Sequence, residues 1–181
     1  MNSAVDSLAE LKPEASGEAA PQAKILVVDD EPKSLFALQE LLSQLGQNLM
    51  IAQSGEEALR LALKNDFAVI LLDVRMPGID GFETARLIRA RERSRSTPII
   101  FLTAAADEMT SMFRGYEVGA VDYLMKPVVP EILKSKVSVF VELHRKTERL
   151  RESEDKLRRL LSDFRFAPVS EVLRQRGLLA S

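Results

Sequence analysis

Short apolar runs alternate with longer amphipathic stretches from residue 24 onward. The runs KILVV, LMIA, FAVILL, PIIFL and VDYLM are rich in β-branched and bulky apolar residues. Such runs are typical of strands that are buried on both faces of a sheet. The segments between them carry apolar residues at helical spacing, as Leu35, Leu38, Leu42 and Leu45 do. The pattern therefore predicts five strands that alternate with five helices.

Local signals place several helix ends. Pro32 suits the first turn of a helix, because its missing N–H would have no partner there, and Gly46 can end that helix. Ser54 and Glu57 have capping-box spacing, which predicts the start of a second helix. Further helices are predicted for FETARLIRARE, for ADEMTSMFRGYEVG and from Pro130 onward.

Alternating strands and helices are typical of a parallel sheet covered by helices on both faces. With right-handed crossovers, this gives an α/β, doubly wound sandwich of five parallel strands, (βα)5. Residues 1–23 are rich in Ala, Glu, Ser and Pro and contain no aromatic residue. Because such a segment buries little apolar surface, we expect a disordered N-terminal tail.

Composition removes several classes of function. The chain has no cysteine, which excludes disulfides and thiolate chemistry, and its single histidine argues against a multi-histidine zinc site. A net charge of −2 argues against wholesale nucleic-acid binding. No apolar run approaches the ~20 residues of a membrane span, and the N-terminus lacks the order of a signal peptide. We therefore expect a cytoplasmic protein without membrane association.

Reactive side chains follow four of the five predicted strands. Asp29 and Asp30 follow the first strand and Asp73 follows the third. Thr103 follows the fourth strand and Lys126 the fifth. Open α/β sheets bind ligands beyond the carboxyl ends of their strands, so we expect these side chains to converge there.

Three carboxylates at one edge of a sheet repel one another and require a cation. Oxygen ligands without His or Cys suit Mg²⁺. Beside such an ion, Asp73 can attack a phosphoryl group and become an aspartyl phosphate. The Lys126 ammonium and the Thr103 hydroxyl could then stabilise the charge on the phosphoryl oxygens.

The blocks ILVVDDEP, VILLDVRMPGIDG, PIIFLTA and VDYLMKP resemble the signature blocks of the response-regulator receiver domain of two-component signalling. The resemblance implies a flavodoxin-like fold and Mg²⁺-dependent phosphorylation of Asp73 by a histidine kinase or a phosphotransfer protein. It also implies a metal site at Asp73, with Asp30 as a direct ligand and Asp29 as a ligand through water. The backbone carbonyl of Arg75 is the further metal ligand that the resemblance implies.

The same resemblance implies a conformational switch. Thr103 and Tyr123 match the switch pair of the family, and the Lys126–Pro127 peptide is expected to be cis. Phosphorylation of Asp73 is expected to remodel the face formed by the fourth helix, fifth strand and fifth helix. The signal would then pass to a C-terminal helix.

Helical character continues beyond the region of resemblance, which covers residues 24–143. Two sets of residues spaced by seven form an apolar seam, with Leu143, Leu150, Leu157 and Phe164 in one set and Phe140, Thr147, Glu154 and Leu161 in the other. This heptad pattern predicts a coiled-coil-like extension over 144–165 and a homodimer through the C-terminal helix. The alternative is one long solvated helix that folds back on its own domain. Residues 166–181 are predicted to be a short tail.

The residues after 143 are too few for an independent core. We therefore expect no DNA-binding or catalytic output domain here, and no direct contact with nucleic acid. The chain would act through protein contacts or as the front of a longer regulator or hybrid kinase. The basic segment RLIRARERSRS is interpreted as a solvated helix end, His144 as an exposed helix residue, and Asp80 as a turn residue.

Two other functions compete with the switch. An aspartate-nucleophile phosphohydrolase needs a second acid two residues after its nucleophile, and that position holds Arg75. We therefore expect no enzyme activity beyond the chain's own phosphorylation and dephosphorylation. An inert coiled-coil scaffold is the other alternative, and the complete set of site residues argues against it.

Overall fold

The computed structural model describes residues 22–104 and 122–165. The strands are β1 Lys24–Val28, β2 Asn48–Ala52, β3 Val69–Asp73, β4 Ile99–Ala104 and β5 Asp122–Lys126. The helices are α1 Pro32–Ser43, α2 Gly55–Lys64, α3 Gly81–Arg89 and α4 Pro130–Arg165, with a short 3-10 helix at Glu92–Ser94. The helix predicted for ADEMTSMFRGYEVG, most of the predicted N-terminal tail and the tail 166–181 lie outside the described residues.

The five strands form one sheet in the order β2-β1-β3-β4-β5, and every neighbouring pair is parallel. The predicted flavodoxin-like, doubly wound fold is thereby confirmed. The chain moves outward from β1 to β2 and then crosses to β3 on the other side of β1. The direction of winding therefore changes between β1 and β3, which is the position where sheets of this kind bind ligands.

Alternating residues of each strand point to opposite faces of the sheet. Ile25 and Val27 of β1 belong to a core that includes buried residues of α1 and α4. Leu26 and Val28 belong to a second core that includes buried residues of α2 and α3. Since both faces are covered, the strands read as continuous apolar runs, and each fully buried large side chain contributes about 1.5–3 kcal/mol.

The predicted start of α2 is confirmed, with Ser54 as its N-cap, but the Glu57 side chain reaches back to the residue before the N-cap rather than to Ser54 itself. The Glu57 N–H donates to Ser54 Oγ at 3.2 Å, and the Gln53 N–H donates to Glu57 Oε2 at 2.8 Å. Asp80 has the same capping role for α3, where its Oδ1 accepts from the Glu83 N–H at 2.7 Å. Asp80 is therefore a helix cap, a more specific role than the turn residue expected from GIDG.

Helix α4 is continuous and has two different halves. Leu133, Val137 and Val141 are buried against the sheet, whereas residues 149–162 are exposed throughout. His144 lies at the transition and is half-buried, which corrects the expectation of an exposed residue, because it lines a cavity together with residues that precede β3 and β4. None of the helices in the described ranges is long and apolar enough to span a membrane.

The packed domain includes a residue that precedes its predicted boundary at Lys24. Ala23, which the sequence assigned to the tail, is buried, and its N–H donates to Gln47 Oε1 at 3.0 Å. The same Gln47 oxygen accepts from the Arg145 guanidinium at 3.1 Å. One glutamine thus joins the chain before β1, the loop before β2 and the middle of α4.

Candidate functional site

The carboxyl ends of the central strands surround a cavity of about 260 Å³. Asp29 follows β1, Asp73 ends β3, and Lys126 ends β5, so three separate strands deliver the ionisable side chains. The residues that line the cavity include all the predicted metal and catalytic residues, Asp29, Asp30, Asp73, Arg75, Thr103 and Lys126. The sheet topology therefore brings together groups that are far apart in the sequence.

Three carboxylates meet in this cavity. One oxygen from each of Asp29, Asp30 and Asp73 can be chosen so that all three lie within 4.8 Å of one another. Asp29 and Asp73 are buried and Asp30 is exposed. All three donors are hard oxygen atoms, and one of them faces solvent. Such a set suits an ion that keeps part of its water shell, so it fits Mg²⁺.

Lys126 lies between two of these acids. Its Nζ is 2.6 Å from Asp29 Oδ2 and 2.7 Å from Asp73 Oδ1. Burial by itself would lower the pKa of Lys126, but the hydrogen bonds and charges of the two carboxylates outweigh it and raise that pKa. The ammonium therefore stays charged at neutral pH and offsets part of the repulsion between the acids.

The orientation of Asp29 is held by three donors. Its Oδ2 accepts from Lys126 and from the Ser34 hydroxyl at 2.6 Å, and its Oδ1 accepts from the Glu31 N–H at 3.0 Å. Ser34 lies in the first turn of α1, directly after the strand end. Ser34 was not predicted from the sequence, although a hydroxyl in the first turn of the helix that follows an acidic strand end could have suggested it.

Asp73 is the last residue of β3 and is 6% exposed. Burial raises the pKa of Asp73, and the charges of Asp29 and Asp30 act in the same direction, while the Lys126 contact opposes them. A buried carboxylate with few water contacts is a better nucleophile than a solvated one when a cation offsets its charge.

The loop after Asp73, residues 74–80, is shaped by close backbone approach. A Cβ at Gly81 would lie 2.2 Å from the Asp73 carbonyl oxygen, so only glycine fits there. Gly78 has a φ of 79°, in the left-handed region that favours glycine. The Gly81 N–H donates to the Val74 carbonyl at 3.0 Å and closes the loop. Gly81 therefore allows the close contact between the Asp73 backbone and α3, and Gly78 allows the turn within the loop.

The two predicted switch residues lie on neighbouring strands. Thr103 of β4 is buried at the cavity, and its hydroxyl donates to the Ala104 carbonyl at 3.3 Å. Tyr123 of β5 is half-buried, and its ring lies 5.6 Å from the Phe101 ring. Tyr123 does not line the cavity but stands two residues before Met125, the register partner of Thr103. The Lys126–Pro127 peptide is cis, as expected.

The arginines of RLIRARERSRS are engaged within the protein where the structure describes their contacts. Arg86 pairs with Glu83, and Arg93 donates two hydrogen bonds to the Asp66 carboxylate at 2.7 and 2.6 Å. Arg89 donates to the Arg95 carbonyl at 3.1 Å. These contacts agree with a solvated helix end.

Comparison with known proteins identifies relatives of this arrangement. A family model described as the response regulator receiver domain matches residues 25–138. The transcriptional regulatory protein ResD of Bacillus subtilis (strain 168) is 40% identical over 109 residues, which are 60% of this chain and 44% of ResD. The chain therefore spans less than half the length of this relative.

Solved structures with the same fold cover the same region. The chemotaxis protein CheY4 of Vibrio cholerae has a TM-score of 0.62 at 34% identity, covering 66% of this chain and 98% of that one. The receiver domain of sensor histidine kinase PA1611 from Pseudomonas aeruginosa PAO1 has a TM-score of 0.62 at 31% identity, with coverages of 67% and 98%. That structure is described as having a magnesium ion coordinated in its active site cleft.

Proposed function

The chain belongs to the response regulator receiver family of two-component systems, and on that premise we propose that it is a phosphorylation-dependent switch whose phosphoacceptor is Asp73. The observation that carries the proposal is the position of Asp73. This acid is buried at the end of β3, beside Asp29 and Asp30, and within hydrogen-bond distance of Lys126. A purely structural acid at a strand end would not need two further acids and a lysine around it.

The proposed reaction is a phosphoryl transfer from a phosphohistidine of a histidine kinase or phosphotransfer protein. An Asp73 carboxylate oxygen forms the new P–O bond while the P–N bond of the donor breaks. The electron pair of that bond stays on the imidazole nitrogen, which takes up a proton from solvent. Lys126, already beside Asp73, would donate to a phosphoryl oxygen, and the buried Thr103 hydroxyl would serve another.

A metal ion is part of the proposal. Asp29, Asp30, Asp73 and the backbone carbonyl of Arg75 would hold Mg²⁺, directly or through water, and all four residues line the cavity. When bound, Mg²⁺ supplies positive charge that stabilises the phosphoryl oxygens. The protein's own contribution is to hold its carboxylate and carbonyl oxygens in place before the phosphodonor arrives.

Phosphorylation is proposed to act through Thr103 and Tyr123 on the surface that includes β5 and α4. The phosphoryl group would draw Thr103 toward Asp73 and favour a conformation in which the Tyr123 ring turns inward. Because α4 continues from this surface as one helix, a change in its first half reaches the exposed half. The fourth helix predicted for this face lies outside the described residues.

We further propose that the exposed half of α4 forms a homodimer. Leu143, Leu150 and Leu157 are 54%, 66% and 58% exposed, and Leu161 is 57% exposed. A row of exposed leucines at heptad spacing is typical of a coiled-coil seam. The protein would act in the cytoplasm through protein contacts, either by itself or as the receiver part of a longer regulator.

An intact-mass measurement tests the phosphoacceptor. The full chain is incubated with Mg²⁺ and a small phosphodonor such as phosphoramidate, and we expect a mass increase of one phosphoryl group. Asp73→Asn abolishes the increase, and so does chelation of Mg²⁺. Asp80→Asn is the matched control, since asparagine also caps helices and Asp80 is not among the residues lining the cavity. Phosphorylation of Asp73→Asn to the normal extent would refute the proposal.

A further inference from the structure

Two side-chain donors share the Asp29 Oδ2 atom. The Ser34 hydroxyl donates to this oxygen at 2.6 Å, and the Lys126 ammonium donates to it at 2.6 Å as well. A carboxylate oxygen offers two lone-pair positions, so the two donors together occupy them. Asp29 is only 1% exposed, and solvent therefore does not readily replace a donor that moves away.

The two donors differ in what else holds them. Lys126 comes from the end of β5 and also lies 2.7 Å from Asp73 Oδ1. Ser34 lies in the first turn of α1, and the Glu31 N–H, directly before that helix, donates to Asp29 Oδ1 at 3.0 Å. The Ser34 contact is thus local, whereas the Lys126 contact is shared between two strand ends. A shift of the lysine leaves Ser34 and Glu31 beside Asp29.

Phosphorylation of Asp73 changes the charges around Lys126. A phosphoryl group adds negative charge beside the ammonium and attracts it. Any displacement of Lys126 Nζ toward the phosphoryl oxygens weakens its bond to Asp29 Oδ2. Without Ser34, that displacement would leave a buried, charged oxygen poorly partnered, which costs more free energy than the loss of an ordinary hydrogen bond. Asp29 would then compete with the phosphoryl group for the lysine.

We propose that Ser34 is a positioning residue for the Asp73 site: it stabilises Asp29 while Lys126 turns toward the phosphoryl group. The inference rests on the proposed function, because this movement of Lys126 requires phosphorylation of Asp73. Ser34 does not line the cavity and is not a catalytic residue. No proton is transferred in this step, since Lys126 only exchanges one hydrogen-bond acceptor for another.

Ser34→Ala separates this role from general support of the metal site. In the unphosphorylated variant Lys126 still holds Asp29 Oδ2, so the Kd for Mg²⁺ should change by less than about twofold. The rate of phosphorylation by phosphoramidate at saturating Mg²⁺ should fall by about tenfold, because the missing hydrogen bond to a charged group matters once Lys126 turns away. Intact-mass measurements over time give the rate, and the amide signals of the ¹⁵N-labelled full chain give the Kd.

Two further variants complete this comparison. Ser34→Thr keeps a hydroxyl donor and should recover most of the rate. Ser43→Ala removes a hydroxyl at the other end of α1, where it donates to the Glu40 carbonyl at 2.8 Å, and should leave the rate unchanged. Equal losses of rate in Ser34→Ala and Ser43→Ala would indicate an effect on α1 as a whole and overturn the proposal. A normal rate in Ser34→Ala at saturating Mg²⁺, with only the Kd raised, would also overturn it.

Unfolding in urea, without Mg²⁺ or phosphodonor, supplies a second, independent test. Of the two side-chain donors that the described residues bring to Asp29 Oδ2, Lys126→Met leaves only Ser34. Ser34→Ala should therefore destabilise Lys126→Met more than it destabilises the wild type. The helix propensity gained with alanine is the same in both backgrounds and cancels in the comparison. Equal losses in both backgrounds would contradict the proposal.

Failure of the proposed function would give a different result. If the wild type accepts no phosphoryl group, the switch is refuted and the role of Ser34 is refuted with it. If the wild type is phosphorylated on Asp73 and Ser34→Ala reacts at the same rate, only the role of Ser34 is refuted.

Discussion

The Lys126 ammonium lies 2.7 Å from Asp73 Oδ1, so the last residue of β5 pairs with the last residue of β3 across the intervening strand β4. The same ammonium lies 2.6 Å from Asp29 Oδ2. One lysine thus offsets two buried carboxylates while the exposed Asp30 adds a third. Both the stability and the chemistry of the site should therefore respond to protonation, to Mg²⁺ and to the loss of this single cation.

Lys126→Met is expected to destabilise the protein because it leaves Asp29 and Asp73 without their shared cation. We expect a loss of about 2 kcal/mol at pH 7.5, below the 3–5 kcal/mol of a fully buried pair, since Lys126 keeps some exposure. The loss should shrink at pH 4 and when Mg²⁺ is added. Thermal unfolding measures it, with Lys134→Met, which loses an exposed hydrogen bond to Gln44, as the control. A loss that is independent of pH and Mg²⁺ would contradict this account.

Asp73→Asn is expected to stabilise the fold at neutral pH. Because the folded-state pKa of Asp73 is raised, the folded protein binds more protons than the unfolded chain, and stability falls as pH rises through that pKa. The substitution removes this loss, so we expect the Tm to rise by roughly 2–4 °C at pH 7.5, which corresponds to about 1 kcal/mol. The difference should vanish below about pH 3, where Asp73 is protonated in both the folded and the unfolded state.

Asp66→Asn is expected to change stability in the opposite direction, with a loss at neutral pH. The hydrogen bond from Arg93 lowers the pKa of Asp66, so its contribution is present at neutral pH and fades as pH falls through that pKa. This pair is largely exposed, and we expect the change in stability to be a few tenths of a kcal/mol. The same pH dependence in both variants would refute the assignment of opposite shifts.

Gly81→Ala should damage both stability and phosphorylation. Its Cβ would meet the backbone oxygen of Asp73, which cannot move without displacing the end of β3. We expect a loss of about 3 kcal/mol in urea unfolding, together with a much slower phosphorylation by phosphoramidate. Gly46→Ala is the control, because Gly46 has a φ of 61° but no atom within 4 Å of the added Cβ. It should cost about 1 kcal/mol and leave phosphorylation unchanged.

Leu150→Glu is expected to disrupt the proposed dimer. The residue is 66% exposed, so the substitution does not disturb the core, and we expect at least a tenfold increase in the dissociation constant. Leu63→Glu changes a similarly exposed leucine on α2 and should leave the dimer intact. Analytical ultracentrifugation measures the dissociation constant of both variants. A wild type that is monomeric at all concentrations would contradict the proposed dimer.

Salt provides a further measurement of the same seam. In a parallel dimer, Lys146 would face Arg151 of the other chain, and like charges repel. We therefore expect added salt to tighten the dimer, because screening weakens this repulsion.

Sequence patterns predicted the features that depend on local signals or on topology. The N-cap that Ser54 provides for the Glu57 N–H involves neighbouring residues only, so the spacing of the two residues is sufficient to predict it. Asp73 and Lys126 could be placed together because parallel strands end at one edge of the sheet. The structure confirms that placement, whereas the roles of these residues remain predictions.

The features that sequence reasoning missed depend on packing between distant segments. Gln47 has no motif, yet it accepts hydrogen bonds from both Ala23 and Arg145. His144 is half-buried because it packs beside residues that precede β3 and β4, and the periodicity of the helix does not predict this contact. The run FAVILL was predicted to be a strand because it is apolar, but its pairing with the neighbouring strands begins at Val69 and continues to Asp73. Phe67 and Ala68 are buried without belonging to the strand.

Helix α4 has 36 residues and contains neither glycine nor proline after Pro130. Sharp bends in helices occur mainly at such residues, so the helix should behave as a stiff rod. At 1.5 Å per residue, the part beyond Arg145 extends about 30 Å from the body. A tilt of about 10° where the helix packs on the sheet would move its far end sideways by roughly 5 Å, more than half of the 8–10 Å that separate the axes of two packed helices. In the proposed dimer, a small rearrangement near β5 would therefore become, by lever-arm geometry alone, a displacement large enough to change how the two helix ends pack.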